Sequence, residues 1–173
     1  MTRYIALLRG VNVGGVTIRS ADLRAVFTGL GHDDVRTVLA SGNVVFEASG
    51  GPRDLKAEIE RALEERFGYD AWIVLTTVEQ VSAVIDAFPF DADDDERQPW
   101  VVFASDEGAL DELAAAASDL DPDVDPLRRG DGVLYWNPVK GTTTDSPFAK
   151  LLAKARYKPT TTNRNLRTLR RLV

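Results

Sequence analysis

Val35-Arg36-Thr37-Val38-Leu39-Ala40-Ser41-Gly42-Asn43-Val44-Val45-Phe46 is the segment on which the fold turns. Two apolar, β-branched runs, Val35 to Leu39 and Val44 to Phe46, flank Ala40-Ser41-Gly42-Asn43, which carries turn chemistry, so the segment reads as a β-hairpin. A helix stripe lies on each side of it. Leu23, Val26, Phe27 and Leu30 recur at i, i+3, i+4 and i+7 behind Ser20 as N-cap, with Gly31 as the stop. Leu55, Ile59, Ala62 and Leu63 form a second stripe that ends near Phe67-Gly68. Strand-like runs close both ends, Thr2 to Leu8 before the first helix and Ala71 to Leu75 after the second. The order is β-α-β-β-α-β, a ferredoxin-like arrangement in which two helices cover one face of an antiparallel sheet.

The pattern returns downstream. Thr77 and Gln80 make a capping box before Val78, Val81, Val84, Ile85 and Phe88, and Pro89 ends that helix. An acidic stretch, Asp91 to Glu96, follows as a linker. Trp100 to Ala104 reads as a strand, and Leu110, Leu113, Ala114 and Ala117 as a helix stripe. Val124 to Leu127 and Val133 to Trp136 form a hairpin around Gly130-Asp131-Gly132, and a helix starts at Ser146-Pro147. An offset of 89 lays Val44, Val45 and Phe46 on Val133, Leu134 and Tyr135. Internal duplication follows as a hypothesis. The expected class is α+β with two packed subdomains. Residues 1–76 form the ferredoxin-like one, 77–98 a helix and acidic linker, and 99–173 a similar βαββα unit with a basic C-terminal helix.

Composition narrows the chemistry. The 173 residues include no cysteine and one histidine, His32, which excludes disulfides, thiolate nucleophiles, cysteine zinc sites and H-E-x-x-H sites. His32 reads as a surface cap at the end of the first helix. No apolar run reaches the roughly 20 residues that cross a bilayer, and the N-terminus enters a strand rather than a signal peptide, which predicts a cytoplasmic protein with no membrane partner. Net charge is −6, but residues 91–131 carry −11 and residues 132–173 carry +8. Duplex DNA is therefore disfavoured as the main partner. The basic segment serves an anion or the acidic middle.

Three motifs fail a strict test. Gly10-Val11-Asn12-Val13-Gly14-Gly15-Val16-Thr17 resembles a phosphate loop, but Val16 stands where the lysine belongs, which excludes nucleoside-triphosphate hydrolysis. Arg9, Asn12 and the backbone at Gly14-Gly15 are left as groups able to hold a phosphate or carboxylate. Asp91, Asp93 and Asp95, like Asp121, Asp123 and Asp125, begin as calcium loops and lack the later glycine and glutamate, so both read as solvated loops. In the C-terminal segment Leu166, Leu169 and Val173 share one helix face, and Arg164, Arg167 and Arg171 the other. Ser41-Gly42-Asn43-Val44-Val45-Phe46 offers one aromatic, too few for an RNA-recognition strand.

Leu8-Arg9-Gly10-Val11-Asn12-Val13-Gly14-Gly15, Ser41 to Phe46, and Thr162-Asn163-Arg164-Asn165 with Thr168 together resemble an uncharacterised bacterial family, a domain of unknown function that opens with R-G-[IV]-N-V-G-G. The resemblance spans nearly the whole chain. It implies a two-part α+β protein and transfers no activity. The chain departs from the family's pattern at Val16-Thr17-Ile18, where members often carry lysines, at Val38 and Ala40, where they commonly carry an aromatic and a glutamine, and at Leu166, where they commonly carry tryptophan.

The functional expectation is a non-catalytic or weakly catalytic binding module. Arg9, Asn12, Gly14, Gly15, Ser41, Asn43, Arg164 and Asn165 would converge on a small anionic ligand, such as a nucleotide or a nucleic-acid end, with no metal and no cofactor. Two alternatives stand beside it. One is a hydrolase or transferase in which Ser41 and Asn43 orient a substrate. The other is a protein-interaction or structural unit in which Arg9 and Arg164 bridge carboxylates. Oligomeric state and ligand identity are not encoded in any motif.

Overall fold

A computed structural model gives the fold, described for residues 1–9, 16–39 and 42–173. The chain divides into two compact units, Met1–Val81 with Arg171–Val173, and Ser82–Arg170. Unit 1 contains β1 (Thr2–Arg9), α1 (Ser20–Gly29), β2 (Asp33–Thr37), β3 (Asn43–Ala48), α2 (Pro52–Phe67) and β4 (Trp72–Thr77), and α3 (Val78–Asp86) crosses the division. Its sheet is antiparallel with strand order β2-β3-β1-β4, so the first strand lies in the middle. Tyr4, Ala6 and Leu8 of β1, Val44 and Phe46 of β3 and Ile73 of β4 form one core with Leu23 and Phe27 of α1 and Leu55, Ile59 and Leu63 of α2. Each fully buried leucine or phenylalanine contributes about 1.5–3 kcal/mol.

The alternate residues of these strands are buried as well, with Ile5, Leu7 and Val45 at zero exposure. On that face Arg36, the partner of Val45, donates to the carbonyls of Arg171 and Leu172 at 3.3 and 3.1 Å, and Leu172 is fully buried. The final tripeptide thus belongs to unit 1. The free edge of β4 is closed by side chains. Lys56 donates to the Ile73 carbonyl at 2.7 Å, Glu60 accepts from the Ile73 N–H at 3.1 Å, and Lys56 and Glu60 pair with each other. Further along, Gln80 accepts from the Thr77 N–H while Thr77 accepts from the Gln80 N–H, the capping box that starts α3. Strand addition at this edge is blocked at both ends.

Unit 2 contains β5 (Trp100–Ala104), α4 (Glu107–Ala116), β6 (Leu127–Arg129), β7 (Leu134–Trp136), α5 (Pro147–Leu152), a 3-10 turn (Lys158–Thr160), β8 (Thr161–Asn165) and α6 (Leu166–Leu169). Its strand order, β6-β7-β5-β8, repeats that of unit 1. Val102, Leu134 and Trp136 pack with Leu110, Leu113 and Phe148, and the Trp136 and Phe148 rings meet edge-on at 5.0 Å. Asp106 caps α4 by accepting from Ala109 N–H at 2.8 Å, and Ser146 caps α5 as its Ser-Pro signature predicts.

Four expectations change. The basic C-terminal segment is not one helix: Thr161–Asn165 is a strand paired with β5, and the helix is confined to Leu166–Leu169. Thr160 to Thr162 are β-branched, and a partner strand with an open ladder outweighs a helical periodicity that only two leucines and a valine supported. Asp125 is not a solvated loop residue. Its carboxylate is buried and accepts from Trp136 Nε1 at 2.8 Å, Ser146 Oγ at 2.8 Å and the Phe148 N–H at 3.0 Å. His32 is not a surface cap. Its ring is buried, stacked on Phe46 at 4.8 Å and tilted against Phe27 at 6.2 Å.

The fourth concerns the repeat. The hairpins β2–β3 and β6–β7 occupy equivalent places in the two sheets. The offset of 89 is nevertheless out of step, because it lays Phe46, which faces the helices of its unit, on Tyr135, whose neighbours Leu134 and Trp136 are the ones that do so. A one-residue slip exchanges the faces of a strand. Both faces of β3 and β7 are buried, so their sequences run apolar without alternation and nothing in them sets the phase.

Three stability tests follow. Asp125→Ala leaves three buried donors without an acceptor and is expected to cost about 3 kcal/mol in urea unfolding, against a smaller loss for Asp125→Asn. At Gly130, which closes the β6–β7 hairpin, an added Cβ would meet Tyr135 Cε2 at 2.5 Å and Val133 Cγ2 at 3.1 Å. Gly130→Ala is expected to lower stability by about 1–3 kcal/mol. Burial pushes the His32 imidazole below its ordinary value of 6.5, against the opposing pull of Glu58 and Asp33. The unfolded chain therefore binds this proton first, and stability falls as the pH drops through 6.5. Thermal melts between pH 7.5 and 5.5 should lose that component in His32→Phe.

Candidate functional site

Two of the sequence candidates, Arg9 and Asn43, meet at one end of the unit 1 sheet. Antiparallel pairing sets Leu7 opposite Asn43, and the Leu8 N–H donates to the Gly42 carbonyl at 2.8 Å. The last residue of β1, Arg9, and the first of β3, Asn43, are therefore held at the same sheet end. The turn that leads into β3 is built from unusual backbone: Gly42 has φ +77° and Leu39 φ +59°. For leucine this left-handed conformation costs about 1 kcal/mol, and its side chain is 45% exposed. Asn43 is fully buried. Its Nδ2 donates to the Val38 carbonyl at 2.9 Å, and its own carbonyl accepts from the Val38 N–H at 2.9 Å, so this side chain fastens the turn. Asn12, Gly14, Gly15 and Ser41 lie outside the described residues.

Arg9 is partly buried, and that burial pushes its guanidinium below the ordinary value while Asp70 pulls it back up. Arg9 stays a cation at neutral pH, in a setting where a further anion is favoured. Sequence reasoning missed its neighbours. Trp72 is the direct cross-strand partner of Arg9, and since Leu8 and Ile73 both face the helices, Arg9 and Trp72 project together from the other face. Lys56 Nζ lies 5.1 Å from the centre of the Trp72 ring. The sequence does place Trp72 in a strand, Ala71 to Leu75. Which strand it would border was not legible, because β4 pairs with β1 more than sixty residues away.

The second group lies in unit 2. Arg164 sits within β8 opposite Val101 and is buried, not displayed on a helix. Its Nη1 donates to Thr162 Oγ1 at 2.7 Å and to the Asn163 carbonyl at 2.9 Å, and burial pushes its pKa down to about 10. Asn165 is the N-cap of α6, its side-chain oxygen accepting from the Arg167 N–H at 2.9 Å. An open cavity of about 200 Å³ lies between α4 and β6, lined by Ala117, Leu120, Leu127, Arg128, Arg129 and Leu134. Its Arg129 is already paired with Glu107 and Asp111.

Among the described residues there is no cluster of three or more histidine, aspartate or glutamate side chains able to hold a metal ion. No helix of the described residues is long and apolar enough to cross a membrane. His32, the one imidazole of the chain, is spent in the aromatic core of unit 1, which leaves no histidine to act as a general base.

Comparison with known proteins extends the fold and leaves the chemistry open. The chain is similar to the solved structure of a conserved bacterial protein, SP0830 from Streptococcus pneumoniae, with 25% identity and a TM-score of 0.83, covering 99% of this chain and 96% of that one. None of the curated proteins matches. The model of one family, described as "Protein of unknown function (DUF1697)", matches residues 1–135, and the chain belongs to that family.

Proposed function

We propose that the chain is a binding module for a small anionic ligand, a phosphate- or carboxylate-bearing molecule, taken up at the end of unit 1 where β1 stops and the β2–β3 turn closes. One observation carries this reading: the pairing of β1 with β3 holds Arg9, from which the glycine-rich segment departs, at the same sheet end as Gly42 and Asn43, and Leu39 ahead of them takes a left-handed backbone. Arginine suits forked contacts with phosphate or carboxylate. Backbone strain of this kind persists where a site needs a particular shape. In this reading Arg9 supplies the charge, and Asn12, Ser41 and the backbone of Gly14 and Gly15 supply further donors. Asn43 holds the turn in place. Asp70 opposes the ligand's charge and tunes affinity downward.

For Arg164 and Asn165 the second reading, a structural role, is favoured by a specific observation. Both spend hydrogen bonds on their own strand and the helix that follows it. A ligand contact by either residue would come in addition to those bonds.

Titration with inorganic phosphate, followed by amide NMR at Leu8 and Gly42 and by thermal shift, tests the first reading. Saturable shifts are expected, weakened about tenfold or more in Arg9→Gln, because a charge-assisted hydrogen bond is lost. Asp70→Asn should tighten phosphate binding. Absence of saturation, or equal affinity in Arg9→Gln, refutes the proposal.

A further inference from the structure

Resting on that anion-site reading, we infer that the ligand is a mononucleotide, its phosphate on Arg9 and its base against Trp72. The two side chains are direct cross-strand partners on one sheet face. Neighbouring strands lie about 4.8 Å apart, so cation and indole stand within the span of a single nucleotide. Trp72 is only partly buried. Lys56 occupies one ring face, and a planar base is the partner suited to the other.

The surroundings select against other occupants. An extended peptide would need the free edge of β4, where Lys56 and Glu60 already hold the backbone C=O and N–H of Ile73 and Gln80 holds the Thr77 N–H. A long nucleic acid would meet a chain of net charge −6, with Asp70 beside the arginine itself. A single phosphate with one ring attached matches the spacing and chemistry of the Arg9–Trp72 pair and presents the least charge to repel. The aromatic adds what a bare anion cannot exploit.

The test compares inorganic phosphate, adenosine and AMP, read by the Trp72 indole N–H resonance, which Trp72→Phe assigns apart from Trp100 and Trp136. AMP is expected to bind about tenfold tighter than phosphate and to shift that resonance. Trp72→Ala should bring AMP down to the affinity of phosphate while phosphate itself is unaffected, and Trp72→Phe should keep most of the difference. If Trp72→Ala melts early, Trp72→Leu, which keeps bulk without a π-face, takes its place. Equal binding of AMP and phosphate, or an equal loss of both in the variant, overturns the nucleotide assignment and leaves the anion site standing. Failure of phosphate and AMP alike to bind removes both.

Discussion

Unit 1 depends on β1 being paired along both edges at once. Thr2 to Leu7 pair with β3 on one side and Tyr4 to Arg9 with β4 on the other, and Tyr4 to Leu8 are buried on both faces. A strand in that position satisfies its backbone only if the hairpin β2–β3 and the distant β4 both arrive. The helices follow from this, because covering one face of such a sheet requires the two apolar stripes of α1 and α2. The candidate site follows too. Arg9 is the last residue of the central strand, and the groups around it are those the two neighbouring strands bring to the same end.

Unit 2 reaches the same strand order with a different fastening. Asp125 gathers an indole of β7, the capping serine of α5 and a backbone N–H of α5 onto one buried carboxylate. Three donors around one charge make a specific junction, since each would otherwise be a buried group without an acceptor. Unit 1 has an apolar counterpart in the stack of Tyr4, Phe46, His32 and Phe27. Similar topologies are thus fixed by unlike chemistry, and a search for repeated residues between the halves finds little to align.

Much of the element order was legible. The hairpin at Val35 to Phe46, the stripes at Leu23 to Leu30 and Leu55 to Leu63, the Thr77–Gln80 box and the Ser146-Pro147 start all rest on local interactions, within a turn of helix or across a tight loop. The candidate residues were legible only as types. Arg9 and Asn43 could be picked out as polar residues in loops, but their roles diverge in the fold: one is a cation at a sheet end, the other a buried clasp on Val38. Trp72 and Asp70 were not legible as neighbours of Arg9, because only the fold sets them beside it.

What the amino-acid order determined by itself is therefore the kind of most elements and, where a cap or turn marks it, the point where one begins or ends, since capping, turn conformation and side-chain periodicity act within a few residues. Tertiary structure alone decided three things. It made Thr161–Asn165 a strand, because β5 offered a ladder. It set the phase of β3 and β7, because strands buried on both faces carry no alternation. It turned Asp125, His32 and Arg164 from apparent surface residues into buried ones, because the burial of a polar group depends on partners that lie far away along the chain.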